Sequence, residues 1–256
     1  MHMRQITKID VDYFQINREE RNFAAIFFAA LCIPGNAERF LSNFGLGNPV
    51  PSQFGVYFEY AFLRDLWDAT KSEESKRSVL RTLLPIKGID QILQLPVEAI
   101  NRKFGVAGEP SREFLQSPAT WSLRKFAPNF ADSDDFVSIC RFKWSFKIKP
   151  DIVIHLDRNR AACIEAKYTS GEGSYPSNEV ERAIFKGRHL AYVGQTELQS
   201  YMMQDLLGIQ TQFMILAPHP LSTPTHRATT WKEAFACLDL GALPDFAKTM
   251  ASRVSM

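Results

Sequence analysis

KPDIVIHLDRNRAACIEAKY, residues 149–168, reads as two strands joined by a tight polar turn. Ile152, Val153, Ile154 and Leu156 form one apolar run, and Ala161, Ala162, Cys163 and Ile164 form a second. Between them, Asp157-Arg158-Asn159-Arg160 supplies turn chemistry. Each strand carries an acid where an apolar residue would pack better: Asp151 opens the first, directly after Pro150, and Glu165 closes the second. A hairpin can bring these two carboxylates together, and they repel unless a cation sits between them. Carboxylate oxygens with a backbone carbonyl suit Mg²⁺ or Mn²⁺. Glu165 and Lys167 are two residues apart, so on one strand they share a face. An ammonium then lies beside the cation. Metal, water and a fixed positive charge are what phosphodiester hydrolysis needs.

Pro150-Asp151 and Glu165-Ala166-Lys167, placed on two apolar strands and followed by a glutamine-bearing helix and a further strand, resemble the PD-(D/E)XK nuclease superfamily. The resemblance covers roughly residues 136–217 and one helix upstream. It implies an α/β fold with a restriction-endonuclease-like core, a central mixed β-sheet flanked by helices. It implies that Asp151, Glu165 and the Ala166 carbonyl bind Mg²⁺ (or Mn²⁺), and that Lys167 orients or activates water. Members of this family often take one more acid from a helix before the sheet. Glu59 is the first candidate: on a helix over residues 53–69 it shares the inward face with Phe62, Leu63 and Leu66. Glu20 is the second, with Phe23, Ala24 and Phe27 beside it, although a capping box with Asn17 already accounts for it. Several branches also place a Gln, often with a Tyr, on the helix after E-x-K. Gln199 or Gln195, with Tyr201, resembles that feature; the spacing departs from the usual Q-x-x-x-Y, so both glutamines stay open.

The 256 residues suit a single domain, 1–256, with a helical insertion at about 71–130 before the sheet. A net charge of +2 gives no global basic signal, so any nucleic-acid surface must be a local patch. The candidate is residues 138–149, which alternate: Phe142, Trp144, Phe146 and Ile148 on one side, and Arg141, Lys143, Lys147 and Lys149 on the other. This predicts a half-buried strand whose basic row either protects a sheet edge or tracks phosphates. The sequence Leu84-Pro85-Ile86-Lys87-Gly88 faintly resembles a helix-hairpin-helix turn, with ordinary helical packing the preferred reading. Asp132, Asp134 and Asp135 read as a solvated turn and cap. Cys32, Cys140, Cys163 and Cys237 make no CxxC pair and read as buried, reduced thiols of a cytoplasmic protein. The longest apolar run, residues 23–33, is too short to cross a bilayer.

Further helices are expected over residues 17–33, 37–44, 178–186, 194–207 and 231–240, with a buried strand at 212–217 and a loosely held C-terminal tail. The resemblance implies a DNA endonuclease of restriction or antiviral phage defence. A homodimer would serve cutting of both strands, and a partner protein would have to supply any ATPase or targeting. Two other readings compete: an RNA nuclease, and a non-catalytic nucleic-acid-binding or scaffold subunit of a larger defence or repair complex.

Overall fold

The computed structural model describes residues 19–168, 171–221 and 226–254. It divides into two compact units. The sheet unit takes the chain up to Glu59, Asp151–Gly171 and the residues from Gln212 on; the helical unit takes Tyr60–Pro150 and Glu172–Thr211.

The sheet unit is α/β. Its strands are β1 (Gly55–Phe58), β2 (Ile152–His155), β3 (Arg160–Ala166), β4 (Gln210–Ala217) and β5 (Arg227–Thr230), which lie side by side in that order. β1–β2 and β2–β3 pair antiparallel and β4–β5 pair parallel, so the sheet is mixed. Alternation sends Ile152, Ile154, Ala162, Ile164, Ala166, Met214 and Leu216 to one face, where they share a core with the helices Glu20–Leu31, Asn36–Asn43, Trp231–Ala236 and Asp245–Val254. Phe27 is the centre of that layer. Its ring lies 5.3 Å from Phe40, 6.0 Å from Trp231 and 5.2 Å from Phe235, all edge-on. The last helix buries Ala247, Met250, Ala251 and Val254 at helical spacing, so the expected loose tail is a packed element. Arg227–Thr230, for which the sequence predicts no strand, forms β5.

Thr230 starts the helix Trp231–Ala236 with a complete capping box, its side chain accepting from Glu233 N–H while Glu233 accepts from Thr230 N–H. Thr230→Ala should lower the unfolding free energy by about 1 kcal/mol, read from the midpoint of a urea titration.

Two further elements differ from the sequence expectation. Residues 53–69 are not one helix: Val56, Tyr57 and Phe58 favour a strand, Glu59 takes a left-handed φ of 50°, and only Phe62–Ala69 is helical. Residues 138–149 are not a strand but belong largely to the helix Ser133–Ser145 of the helical unit. Asp132 caps that helix, accepting from the Asp134 and Asp135 N–H groups, in line with the cap reading. Phe136, Ile139, Cys140, Phe142, Lys143, Trp144 and Ser145 are all buried. Burial on nearly every side erases the helical period, and the remaining alternation only imitates a strand.

The helical unit also holds Glu73–Leu83, Ile89–Leu93 and Val97–Lys103, within the expected helical insertion, and Glu179–Gly187, close to the expected 178–186. Gln195–Ser200 continues as a π-helical turn over Tyr201–Leu206 and stops at Gly208, whose φ is 66°. Cys140 and Cys163 are buried as expected, but Cys32 is exposed and Cys237 half-buried. Among the described residues no single helix is long and apolar enough to cross a membrane.

Candidate active site

The turn between β2 and β3 is closed by its own polar groups. Asn159 N–H donates to Asp157 Oδ1 at 2.8 Å, and Arg160 Nε lies 2.6 Å from Asp157 Oδ2. This fixes the register, in which Ile152 faces Ile164. Continuing it by one residue sets Asp151 opposite Glu165. The Ala166 N–H donates to Asp151 Oδ2 at 2.8 Å, and the Glu59 N–H donates to the Asp151 carbonyl at 2.8 Å.

The E-x-K segment is pinned on every side. Lys167 N–H donates to the Leu216 carbonyl at 2.7 Å, and Trp231 Nε1 donates to the Lys167 carbonyl at 2.9 Å. Glu165 is 4% exposed. The Lys167 ammonium lies 2.8 Å from Glu165 Oε1, with its side chain 12% exposed.

Burial, and after it the Glu165 charge, push the Asp151 carboxyl up to about 7, against the lowering effect of the Ala166 hydrogen bond. For Lys167, burial pulls the pKa down. The Glu165 charge and hydrogen bond, with Glu20 and Asp151 adding, outweigh it and hold the ammonium above its ordinary value. Lys167 is therefore a fixed cation at neutral pH and not a base. Among the described residues, half-buried Asp151 and buried Glu165 lie beside the Lys167 ammonium, a set of two acids and one cation. Facing carboxylates fit a divalent cation, and the donors on hand are all oxygen, the preference of Mg²⁺ and Mn²⁺. Among the described residues no three acid, imidazole or thiol groups form a ready ligand set. Protein ligation would thus lean on Asp151, Glu165 and the Ala166 carbonyl.

The two candidate helix acids fall in different surroundings. Glu59 sits past the end of β1, not on a helix, and its Oε1 lies 2.6 Å from Arg21 Nε. Glu20 opens the helix Glu20–Leu31, whose cap position falls on Glu19; Asn17 lies outside the described residues. Glu20 Oε2 accepts from the Tyr168 N–H at 2.6 Å, immediately after Lys167, and its charge is felt by both Asp151 and Lys167. The structure thus brings Glu20 to the cluster with its side chain. What sequence reasoning missed was the long-range bond to Tyr168, which no local pattern carries.

The proposed basic row does not exist as a row. On a helix, Arg141 and Lys143 point apart. Arg141 Nη2 lies 2.5 Å from Glu197 Oε1. Lys143 is 4% exposed and pairs with Glu181 at 3.3 Å, so it cannot reach a phosphate. Lys147 and Lys149 follow that helix, Lys147 exposed and Lys149 half-buried. Gln195, Gln199 and Tyr201 belong to the helical unit. Gln199 is fully buried, and Gln195 Oε1 accepts from Gly173 N–H at 3.4 Å. The Tyr201 ring lies under Arg141, 5.8 Å from its guanidinium, and burial pushes its hydroxyl up to about 12. Tyr201 is thus a buried ring and not a surface for nucleic acid. The hairpin at residues 84–88 is no phosphate cradle either. Lys87 N–H donates to Asp135 Oδ1 and its ammonium pairs with Asp132 Oδ2 at 2.7 Å, so acids occupy the place of an anion.

No protein-family model matches the chain, and comparison with curated proteins and with solved structures finds no match.

Proposed function

We propose that the chain is a metal-dependent nuclease with a restriction-endonuclease-like core, hydrolysing phosphodiester bonds, with DNA as the first substrate to test. The observation that carries this reading is the facing of Asp151 and Glu165 at the ends of two paired strands, with Lys167 2.8 Å from Glu165. Asp151, Glu165 and the Ala166 carbonyl would hold Mg²⁺ or Mn²⁺, with Glu20 beside them. A bound cation supplies charge stabilisation at the scissile phosphate and a more acidic water. Lys167, kept protonated by its acidic neighbours, donates hydrogen bonds to a water or to the charge developing on phosphate oxygens. The backbone bonds to Leu216 and Trp231 hold the lysine in place and cost no reorganisation during reaction. Restriction or phage defence, action as a homodimer and a partner supplying ATPase or targeting remain proposals by analogy with the resembled family.

The test is a cleavage assay on plasmid, linear duplex, single-stranded DNA and RNA with Mg²⁺, Mn²⁺ or EDTA. Cleavage in metal and none in EDTA is expected; its absence from every substrate would reject the enzyme reading. Glu20→Gln should weaken Mg²⁺ binding by roughly tenfold or more, since it alters the support of the ligand cluster. Glu59→Gln should leave it near wild type, because it removes a half-exposed ion pair with Arg21. Isothermal titration with the metal separates the two.

A further inference from the structure

The first turn of the helix Glu20–Leu31 carries a pairing that the catalytic cluster does not use. Glu20 Oε2 accepts from the Tyr168 N–H, which ties this turn to the end of the E-x-K segment. The next residue, Arg21, sends its side chain to Glu59, the residue that follows β1, with Nε 2.6 Å from Oε1. The Glu59 N–H in turn donates to the Asp151 carbonyl at 2.8 Å. Arg21 is thus tied on both sides to the strand ends that bear the two acids. Its side chain is nevertheless 70% exposed. The guanidinium fork has five N–H donors, more than one carboxylate takes up, so it can hold Glu59 and meet a second anion from solution.

Stability does not account for this pair. An ion pair so open to solvent is worth little. Both residues also sit where local structure disfavours them. A cation in the first turn opposes the helix dipole, which favours acids there. Glu59 takes a φ of 50°, a left-handed value uncommon outside glycine. Two unfavourable placements serve one weak bond, and what that bond achieves is position: it holds a guanidinium beside the acids. Phe58 is in register with Ile152, so Glu59 stands opposite Asp151, about 5.5 Å away at Cα. The guanidinium at the end of the Glu59 side chain is then on the order of 10 Å from Asp151, two or three nucleotide steps of about 3.4 Å.

We infer that Arg21 is a phosphate-binding residue: its guanidinium takes a backbone phosphate of the substrate strand two or three nucleotides from the cleaved one, with Glu59 holding it in place. The inference rests on the nuclease reading and adds to it a fixed anchor for the strand. A phosphodiester offers two non-bridging oxygens, which a guanidinium meets with paired N–H bonds. The acids of the cluster repel a polyanion, and Arg21 supplies attraction next to them. Phosphate contacts set register and orientation and carry no sequence information. Arg21 therefore decides where the strand lies over the acids and not which bases it carries.

The test is fluorescence anisotropy with labelled single-stranded and duplex oligonucleotides, in Ca²⁺ and in EDTA, with one phosphate at a time replaced by an uncharged methylphosphonate. In wild type, one replaced position should weaken binding about tenfold, and at that position Arg21→Ala should show no penalty. Arg21→Ala should bind the unmodified strand about tenfold more weakly than wild type and lower the slope of log K against log salt by about one; Arg21→Lys keeps the charge and should restore the slope. Glu59→Gln should weaken binding less than Arg21→Ala, since the cation stays and only its placement is lost. Melting curves of all three variants should stay near wild type, because the pair is exposed. Binding by Arg21→Ala within twofold of wild type, the same methylphosphonate profile in both proteins, or no binding by wild type would overturn the inference. Cleavage in Mg²⁺ is read separately. An Arg21-dependent phosphate position without cleavage supports the anchor and rejects the nuclease; cleavage with an unchanged profile in Arg21→Ala does the reverse.

Discussion

Lys167→Ala should reduce cleavage about a hundredfold to a thousandfold, the loss found when a preorganised donor to developing charge is removed. The same change should also lower stability. Glu165 is 4% exposed and Asp151 faces it, so the ammonium is the cation on hand to offset the pair. Removing one partner of a buried ion pair leaves an uncompensated charge and costs about 3 kcal/mol. A drop in activity could then be blamed on unfolding. The double variant Glu165→Gln/Lys167→Met separates the effects: it removes both charges at similar volume, and should recover most of the lost melting temperature while staying inactive. Melting curves in EDTA, run beside the cleavage assay, read both quantities. A Lys167→Ala protein that cleaves at the wild-type rate would remove Lys167 from the chemistry, and with it the reading of the E-x-K segment.

The parts of the site legible in the sequence are those written in one short stretch. Two apolar runs with a polar turn fix the β2–β3 register, and the register alone places Asp151 across from Glu165. Gln212–Ala217 was legible for the same reason, as a run of apolar residues bounded by breakers. What failed was written in distant residues. Lys143 and Ser145 look like the outward side of a strand, yet both are buried. Lys143 is met by Glu181 from another helix, and Ser145 Oγ donates to the Arg141 carbonyl at 2.8 Å. Polar side chains satisfied by tertiary partners carry no sign of burial in their own neighbourhood. The helical spacing of Phe62, Leu63 and Leu66 after Glu59 predicts a helix there. The strand before it, held by pairing with residues about a hundred positions on, changed its setting. Glu20 shows the converse. Its local capping reading was reasonable, but its carboxylate is taken by the Tyr168 N–H, on the other side of the chain's largest excursion.

Asp151→Asn should make the metal-free protein more stable while removing its response to metal. Asp151 titrates at about 7 in the folded chain against an ordinary 3.8, raised by burial and by Glu165. A raised acid pKa means that the folded state holds its proton more tightly than the unfolded one. The wild-type protein therefore has its full stability below about pH 4, and loses part of it as pH rises from about 4 to about 7. A shift of this size corresponds to about 1.4 kcal/mol per unit; with the charge shared with Glu165 and some solvent access, a net penalty on the order of 2 kcal/mol is expected. Asn keeps the acceptor for the Ala166 N–H without ionising, so the variant should show no such decline. In EDTA the two proteins should melt together near pH 4, and Asp151→Asn should melt several degrees higher at pH 8. Adding Mg²⁺ at pH 8 should raise the wild-type midpoint, because a ligand bound only by the folded state adds its binding free energy, and should leave the variant unmoved. A wild type whose stability is flat across this window and indifferent to Mg²⁺ would mean that the facing carboxylates are already neutralised within the protein. Their facing would then no longer argue for a bound cation.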